Sequence, residues 1–404
     1  LTKTIYSDDT LLLVAEDDET SQVLGTASVL LEIGAYSDLV GEFGRLAVHP
    51  DARRRGIGKL LMGERLRRVA DRLHVGLAEA RVTHPFSLRI AESEGFAPVG
   101  FLPLKMQVGR RESLLLLARY FDHALPLRGS CPRVIPEVYP LAHLSLENCG
   151  LAPDVIVDDE SPPYPAYPVI DGIDIQDLST EGYAGLLRIE RGRVRHREIF
   201  GPLRLHYGFF KLQARNSRYL IARDQGRILG AIGFTLDETE HVVRIFELIA
   251  LDDHIIGFLL SDLERRCREE WGVCYVEVDV SAHAPRMQRT LLELGFLPAA
   301  YVPALVFYDV ERLDVVKMVR LLTPMDLGQL MLSPTAQAVA DIVLRNFLGR
   351  DVLPKIAKAI GELELFSGLS SEQVTRLATA CTVATFQPDE TVFAEGAPGC
   401  ALHI

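Results

Sequence analysis

No stretch of this chain is long and apolar enough to cross a bilayer. The longest apolar runs, SLLLLA at Ser113–Ala118 and IIGFLL at Ile255–Leu260, fall well short of the ~20 residues that a spanning helix needs, so no membrane partner is expected. Positive charge is also in short supply: 43 Lys and Arg stand against 55 Asp and Glu, a formal net charge of -12. That balance argues against a general nucleic-acid binder, which rests on a basic face that releases counterions. Paired cysteines are missing too. Cys131, Cys149, Cys267, Cys274, Cys381 and Cys400 are dispersed, with no C-x-x-C and no histidine at zinc spacing, so no metal centre is expected and the thiols read as reduced, in a cytoplasmic setting. No signal peptide is visible, and the chain starts on Leu1, so sequence ahead of it, including any targeting signal, is an open expectation.

What is present is too long for one ordinary domain. At 404 residues and about 150 residues per domain, two or three cores are expected. The first block, 1–121, reads as alternating strands and one long helix. Leu11–Asp17 and Leu24–Leu31 form a hairpin pair, Glu42–Val48 a third strand, and the apolar positions of Gly58–Leu73 recur near 3.6 spacing. A connecting segment, 122–172, is richer in proline and ends in SPPYPAYP at Ser161–Pro168, which suits neither a helix nor a central strand. A second block, 173–322, carries strands at Tyr219–Asp224, Ile228–Phe234, Arg244–Leu251 and Val273–Val280. Helices follow at Leu327–Leu332, Ala336–Leu348 and Leu353–Leu363, making a helical linker over 323–364, and the last segment, 365–404, turns strand-like after a capped helix.

The two blocks read as a repeat. GFAPVGFLP at Gly95–Pro103 returns as GFLPAAYVP at Gly295–Pro303, LGTASV at Leu24 as LGAIGF at Leu229, RLAVHP at Arg45 as LIALDD at Leu248, and GKLL at Gly58 as GFLL at Gly257. Four matches in the same order point to one fold used twice.

The segment that carries chemistry is LAVHPDARRRGIGKLLM, Leu46–Met62. A strand ends at Val48, a turn follows, and Arg53-Arg54-Arg55-Gly56-Ile57-Gly58 leads into the amphipathic helix. The unpaired amides of a helix's first turn, together with its dipole, stabilise an anion, and Gly56 and Gly58 allow close backbone approach. An R-x-x-G-x-G between strand and helix, after a V-x-P strand end, resembles the pyrophosphate loop of the GCN5-related N-acetyltransferase family. With the GF-x-P downstream and the hairpin upstream, the resemblance covers roughly Leu11–Leu117. It implies acetyl-CoA as co-substrate, with the pantetheine paired along Arg45–Val48 (Leu46, Ala47 and Val48 at its edge) and the pyrophosphate held by Arg53, Arg54, Arg55, Gly56, Ile57 and Gly58. Lys59 joins Arg54 and Arg55 as a cation able to meet the phosphates.

Chemistry in that family is direct transfer from a thioester to an amine, which needs positioning, a base for the ammonium proton and donors for the oxyanion. The candidate bases are Glu42, on the strand entering the loop, and His84, after the next strand. One departure stands out: where relatives often carry a proton-donating Tyr, this chain has Ala91, leaving Ser87 or water for the thiolate. In the second block the matching loop, LDDHIIG at Leu251–Gly257, is about four residues shorter, holds Asp252 and Asp253 in place of the arginines, and has Leu291 at the Tyr position. That block is expected to keep the fold and to have lost acetyl-CoA. It could complete the acceptor groove or present a homodimer surface, with Glu247, Asp252, His254 and His283 as pocket-lining candidates.

Leu365–Ile404 resembles the opening of a cyclic-nucleotide-binding domain, with Pro388-Asp389 and Pro398-Gly399 at the turns of a β-roll; the phosphate cassette of such a domain would fall beyond Ile404. The expected fold class is therefore α+β, an α/β mixed-sheet acetyltransferase fold in tandem, followed by a helical linker and a truncated β-roll. The expected function is N-acetyl transfer from acetyl-CoA to an amine of a small molecule or a protein lysine, under the influence of a cyclic nucleotide. A non-catalytic acetyl-CoA sensor or scaffold is the alternative.

Overall fold

The computed structural model describes residues 9–31, 33, 38–121, 123–165, 172–178, 197–201, 217–349, 353–370, 373–374, 377–378, 381 and 391–392. The fold is a mixed α/β one. Strands β1 (Thr10–Glu16) and β2 (Val23–Leu31) form an antiparallel hairpin, β3 (Val40–Val48) joins β2, and helix α1 (Ile57–Val69) follows a 3-10 turn at Pro50–Ala52. The helix ends at Val69, short of the expected Leu73, which is buried all the same in the turn that follows. Next come β4 (Val75–Arg81), α2 (Phe86–Ser93), β5 (Ala97–Val108) and β6 (Arg110–Tyr120). The unbroken Leu114–Ala118 run of β6 is at most 2% exposed, as expected for an interior strand covered on both faces.

Residues 123–165 are built into the core. The short strands β7 (Arg133–Val134) and β8 (Ile156–Val157) pair in parallel, and helix α3 (Tyr139–Asn148) packs on β5, with Ser145 Oγ donating to Val99 O at 3.3 Å and Asn148 Nδ2 to Pro98 O at 2.9 Å. After β9 (Asp174–Asp177) and β10 (Ile199–Phe200), the order of the first half returns. It runs β11 (Ser217–Asp224), β12 (Arg227–Asp237), β13 (Val242–Ala250), α4 (Asp253–Glu269), β14 (Tyr275–Ser281), α5 (Pro285–Glu293), β15 (Leu297–Tyr308) and β16 (Glu311–Leu321).

All strands except β7 and β8 belong to one fourteen-stranded sheet, ordered β1-β2-β3-β4-β6-β5-β15-β16-β14-β13-β12-β11-β9 with β10 on β14. The halves meet at β5 and β15, where Gly100 pairs with Ala300. These are matching positions of the two GF motifs, so the contact lies on a pseudo-twofold axis. A Cβ on Gly100 would land on the Cβ of Ala300, which is why one of the two is glycine. On either side the hairpins exchange arms. Arg111 donates to Leu104 O, Lys105 O and Glu240 O, while Arg312 donates to Ala304 O, Leu305 O and Asp38 O. Leu104 and Ala304 adopt the same left-handed kink, φ 52° and 50°, held by Ser113 Oγ at 3.1 Å and Asp314 Oδ1 at 2.9 Å.

The expected helix at Leu327–Leu332 is absent: that segment is extended. Pro324 and Pro334 bias their predecessors away from helix, Gly328 has φ 62°, and Met331 N donates instead to Val82 O at 2.7 Å. Helices α6 (Pro334–Phe347) and α7 (Leu353–Gly361) follow. The chain divides into two compact units, Leu1–Val343 and Leu344–Ile404. In the second, Ser370 and Gln373 cap each other reciprocally, Gln373 N to Ser370 Oγ at 3.3 Å and Ser370 N to Gln373 Oε1 at 2.9 Å. The β-roll turns expected at Pro388-Asp389 and Pro398-Gly399 lie outside the described residues.

Candidate functional site

The site begins where β3 and β4 separate. These two strands run parallel, and only Val40–Glu42 pairs with Val75–Leu77. Beyond Glu42, β3 keeps its β2 partner, with Val48 opposite Gly25 and Ala47 opposite Thr26, while its other edge stands free among the described residues. The divergence starts at a bulge: the β2–β3 register slips between Thr26 and Ser28, and Arg45 is left-handed, φ 52°. Arg65 of α1 clamps it. Its Nη1 donates to Ser28 O and Gly44 O, both at 3.0 Å, and its guanidinium lies 5.4 Å from the centre of the Phe43 ring. Burial without a carboxylate partner pushes its pKa down to about 10. The sequence reading passed over Arg65, although a cation between Leu61 and Val69 on the buried stripe of a helix was the signal.

At the open end of β3 the chain forms the expected loop. Arg53, Arg54, Arg55 and Gly56 are exposed, Arg54 and Gly56 are left-handed, φ 64° and 81°, and Gly56 caps α1 with no side-chain cap. The first helical bond is Leu60 N to Gly56 O at 3.0 Å, so the amides of Gly56, Ile57, Gly58 and Lys59 have no partner within the helix. The two glycines serve different ends. A Cβ on Gly56 would meet nothing within 4 Å, whereas one on Gly58 would come 2.9 Å from Ile90 Cδ1. Gly58 therefore sets the packing of α1 on α2 rather than the approach of an anion. Ile57 is buried against Leu13, Ala27, Ala52 and Leu61. Arg55 lies 3.9 Å from Asp17 and Lys59 3.9 Å from Glu94, both loose surface pairs. Leu46 and Val48 are half-buried and Ala47 is exposed.

Glu42 sits at the apex of the split. By strand alternation it faces away from Phe43, the residue that packs under Arg65. Burial raises its carboxyl pKa, and the neighbouring Glu79 adds to the rise, while Arg244, Lys105 and Arg45 oppose it. Glu79 lies two residues past Leu77, the partner of Glu42, and so on the same face; it accepts from Lys105 Nζ at 2.6 Å. His84 is elsewhere. It follows β4, whose end at Arg81 is already four residues, about 13 Å, beyond Leu77, and its buried Nδ1 has no hydrogen-bond partner. The structure does not bring the two candidate bases together. Ala91 is buried near the C-terminal end of α2, and Ser87 lies in that helix's first turn.

The second half keeps the frame and closes the space. Gly25 and Gly230 occupy the same place, each beneath a helix start, so Ile255 matches Ile57 and Ile256, not Gly257, matches Gly58. Asp252 caps α4, accepting from His254 N at 2.9 Å, and Asp253 pairs with Arg286 at 2.9 Å. Glu247 is 4% exposed and accepts from Tyr219 Oη at 2.6 Å, which makes it a core group and not a pocket lining. His254 is exposed, and His283 N donates to Ser281 Oγ at 3.2 Å. Strand β10 takes the edge of β14 that β13 leaves, pairing Ile199 with Val280 and Phe200 with Asp279, and Gly201 presses on Phe246 of β13. The split of this half is filled by its own chain.

Residues 8–96 match the family model of the acetyltransferase (GNAT) domain, a span that runs from β1 through α2 and includes the loop. No curated protein matches the chain. Among solved structures, mutant forms of the spermidine/spermine N-acetyltransferase SpeG from Vibrio cholerae are 21% identical, covering 30% of this chain and 71% of that one at a TM-score of 0.27. A GNAT phosphinothricin acetyltransferase from Sinorhizobium meliloti, in complex with AcCoA, is 24% identical over 30% of this chain and 66% of that one, TM-score 0.27. A chimera of the Vibrio cholerae spermidine N-acetyltransferase covers 38% of this chain and 97% of that one at 12% identity, TM-score 0.32.

Proposed function

We propose that the chain transfers an acetyl group from acetyl-CoA to an amine, with the first half alone holding the donor. The observation that carries this reading is the open β3–β4 split, which runs from a carboxyl of raised pKa at its apex to a helix start whose first amides have no partner within the helix. The residues present fit the donor: the amides of Gly56–Lys59 and the exposed Arg53–Arg55 suit a pyrophosphate, and the free edge of Leu46–Val48 suits an extended chain of amides. Bound acetyl-CoA supplies a thioester carbonyl at that edge. Glu42 takes a proton from the acceptor ammonium, the N–C bond forms as the C–S bond breaks, the electron pair leaves on sulfur, and the acylated nitrogen gives its second proton to solvent. A carboxyl of raised pKa suits a base that must also release its proton. With Ala91 buried and carrying no proton, the departing thiolate takes its proton from solvent.

Calorimetric titration of acetyl-CoA tests the reading. One site per chain is expected, because the second split is filled, and Glu42→Gln should leave that affinity intact while lowering release of free thiol in the presence of an amine. Absence of binding would overturn the proposal. The resemblance of Leu365–Ile404 to a cyclic-nucleotide module supports regulation by such a ligand; cyclic AMP or cyclic GMP would then change turnover at saturating acetyl-CoA.

A further inference from the structure

The pseudo-twofold axis brings charges from the second half against the face that carries Glu42. Lys105 bridges the halves, lying 2.6 Å from Glu79 and 3.2 Å from Glu277. Glu277 is fully buried and also lies 2.5 Å from Arg244 Nε and 3.8 Å from Lys317, which is itself 2.6 Å from Asp279. A contact chain therefore runs Glu79, Lys105, Glu277, Arg244. Arg244 occupies on β13 the place that Glu42 holds on β3: it is the third paired residue of a parallel pair that then opens.

Arg244 differs from its neighbours in what it leaves free. Lys105 and Lys317 are about nine-tenths buried and each is met by a carboxylate of its own. The Arg244 side chain is 41% exposed, is held through Nε alone, and shares the single charge of Glu277 with both lysines. Among the described residues no acceptor meets Nη1 or Nη2. Glu79, on the face that carries Glu42, starts the contact chain that ends at the Arg244 guanidinium, and of the three cations that lower the Glu42 carboxyl, Arg244 acts most strongly. A guanidinium anchored at Nε presents two parallel N–H donors to a carboxylate or phosphate.

We infer that Arg244, from the second half, recognises an oxyanion on the acceptor, so that the substrate is an amine bearing its own carboxylate or phosphate, of which an α-amino acid is the simplest. The inference rests on the acetyltransferase reading above. It gives the second half a purpose at the site: that half has lost its own donor cleft and supplies the charge that orients the acceptor.

The test compares acceptors that differ by one group. L-Lysine against cadaverine, L-phenylalanine against phenethylamine and phosphoethanolamine against ethanolamine are followed by thiol release at saturating acetyl-CoA, the first two pairs reporting carboxylate and the third phosphate. The expected result is a preference of tenfold or more in kcat/KM for the anionic member of at least one pair. Arg244→Gln should abolish it by raising KM for that member while the member that lacks the anion is unchanged, and Arg244→Lys should recover part of it. Acetyl-CoA titration of each variant separates the two readings. If the wild-type chain fails to bind acetyl-CoA, the acetyltransferase reading falls and takes this one with it. If it binds, and either no pair shows the preference or Arg244→Gln lowers both members alike, only the role of Arg244 is overturned.

Discussion

Replacing Gly56 and Gly58 by alanine, one at a time, separates backbone conformation from packing in the same loop. At Gly56 the backbone is left-handed, φ 81°, and an added Cβ would touch nothing within 4 Å. An alanine there costs about 1–2 kcal/mol of conformational strain, partly offset by about 0.4–1 kcal/mol from the less flexible unfolded chain. The folded unit should therefore lose roughly 1 kcal/mol or less. If the free loop relaxes out of the left-handed region, binding must restore it, and the same 1–2 kcal/mol weakens acetyl-CoA by roughly 5–30-fold. At Gly58 the added Cβ meets only the terminal methyl of Ile90, at 2.9 Å. That methyl can rotate away, and alanine is favoured over glycine within a helix by up to about 1 kcal/mol. Stability should then stay within about 1 kcal/mol of wild type and affinity within about threefold. Urea unfolding and calorimetric titration read the two quantities. The reverse order, with affinity falling at Gly58 and holding at Gly56, would refute the assignment of the anion site to the open space over Gly56.

Five further outcomes are expected. The pH profile of kcat/KM should rise through a pKa above the ordinary carboxylate range as Glu42 ionises, and Glu42→Gln should remove that limb. Because its folded pKa is raised, Glu42 favours folding fully below its unfolded pKa and loses that contribution as pH climbs through the folded value; Glu42→Gln should therefore gain stability on wild type in urea melts at neutral pH and not at acid pH. Glu277→Ala should cost about 3–5 kcal/mol in urea unfolding, since at a site that is 0% exposed it strands Arg244 and takes from Lys105 and Lys317 one of the two carboxylates that each meets. Gly100→Ala should cost about 1–3 kcal/mol by overpacking, and adding Ala300→Gly should recover only part of it in the same melts, because the new Cβ would still lie 2.7 Å from Ala300 Cα and 2.8 Å from Ala299 O. Asp252→Ala should lose a helix cap, about 1 kcal/mol, and leave acetyl-CoA affinity unchanged in titration.

The sequence disclosed whatever depended on local period. Strands β1 to β3, helix α1 and the loop before it follow from alternation, 3.6 spacing and the glycines. The repeat was legible because positions 95–103 and 295–303 preserve the same kinked strand. Where local words were matched without a register, the frame slipped: GKLL and GFLL align by letters, yet Ile256 is the counterpart of Gly58 because Ile57 and Ile255 share one place over Gly25 and Gly230. Leu327–Leu332 has helix-forming residues, but the prolines on either side and the bond from Met331 to Val82 outweigh propensity over so short a span. Glu79 and Arg244 were out of reach for another reason. Each owes its setting to residues 20 or more positions away, so nothing in its neighbourhood marks it.

The two halves share a frame and differ in what enters the split between the parallel strands. In the second half Ile199 and Phe200 enter it, and the loop beside it is short, acid-capped and without arginine; in the first half the split stays free among the described residues and leads to the arginine loop. A filled split has no room for a donor, yet its strands still carry side chains to the axis, and the arm exchange at Arg111 and Arg312 fixes them there. The filled split of one half and the charge it carries to the axis follow from the same symmetry: Glu42 and Arg244 are one position of the fold, a carboxylate in one half and a guanidinium in the other, and the sheet continuous through Gly100 and Ala300 holds both in the same unit.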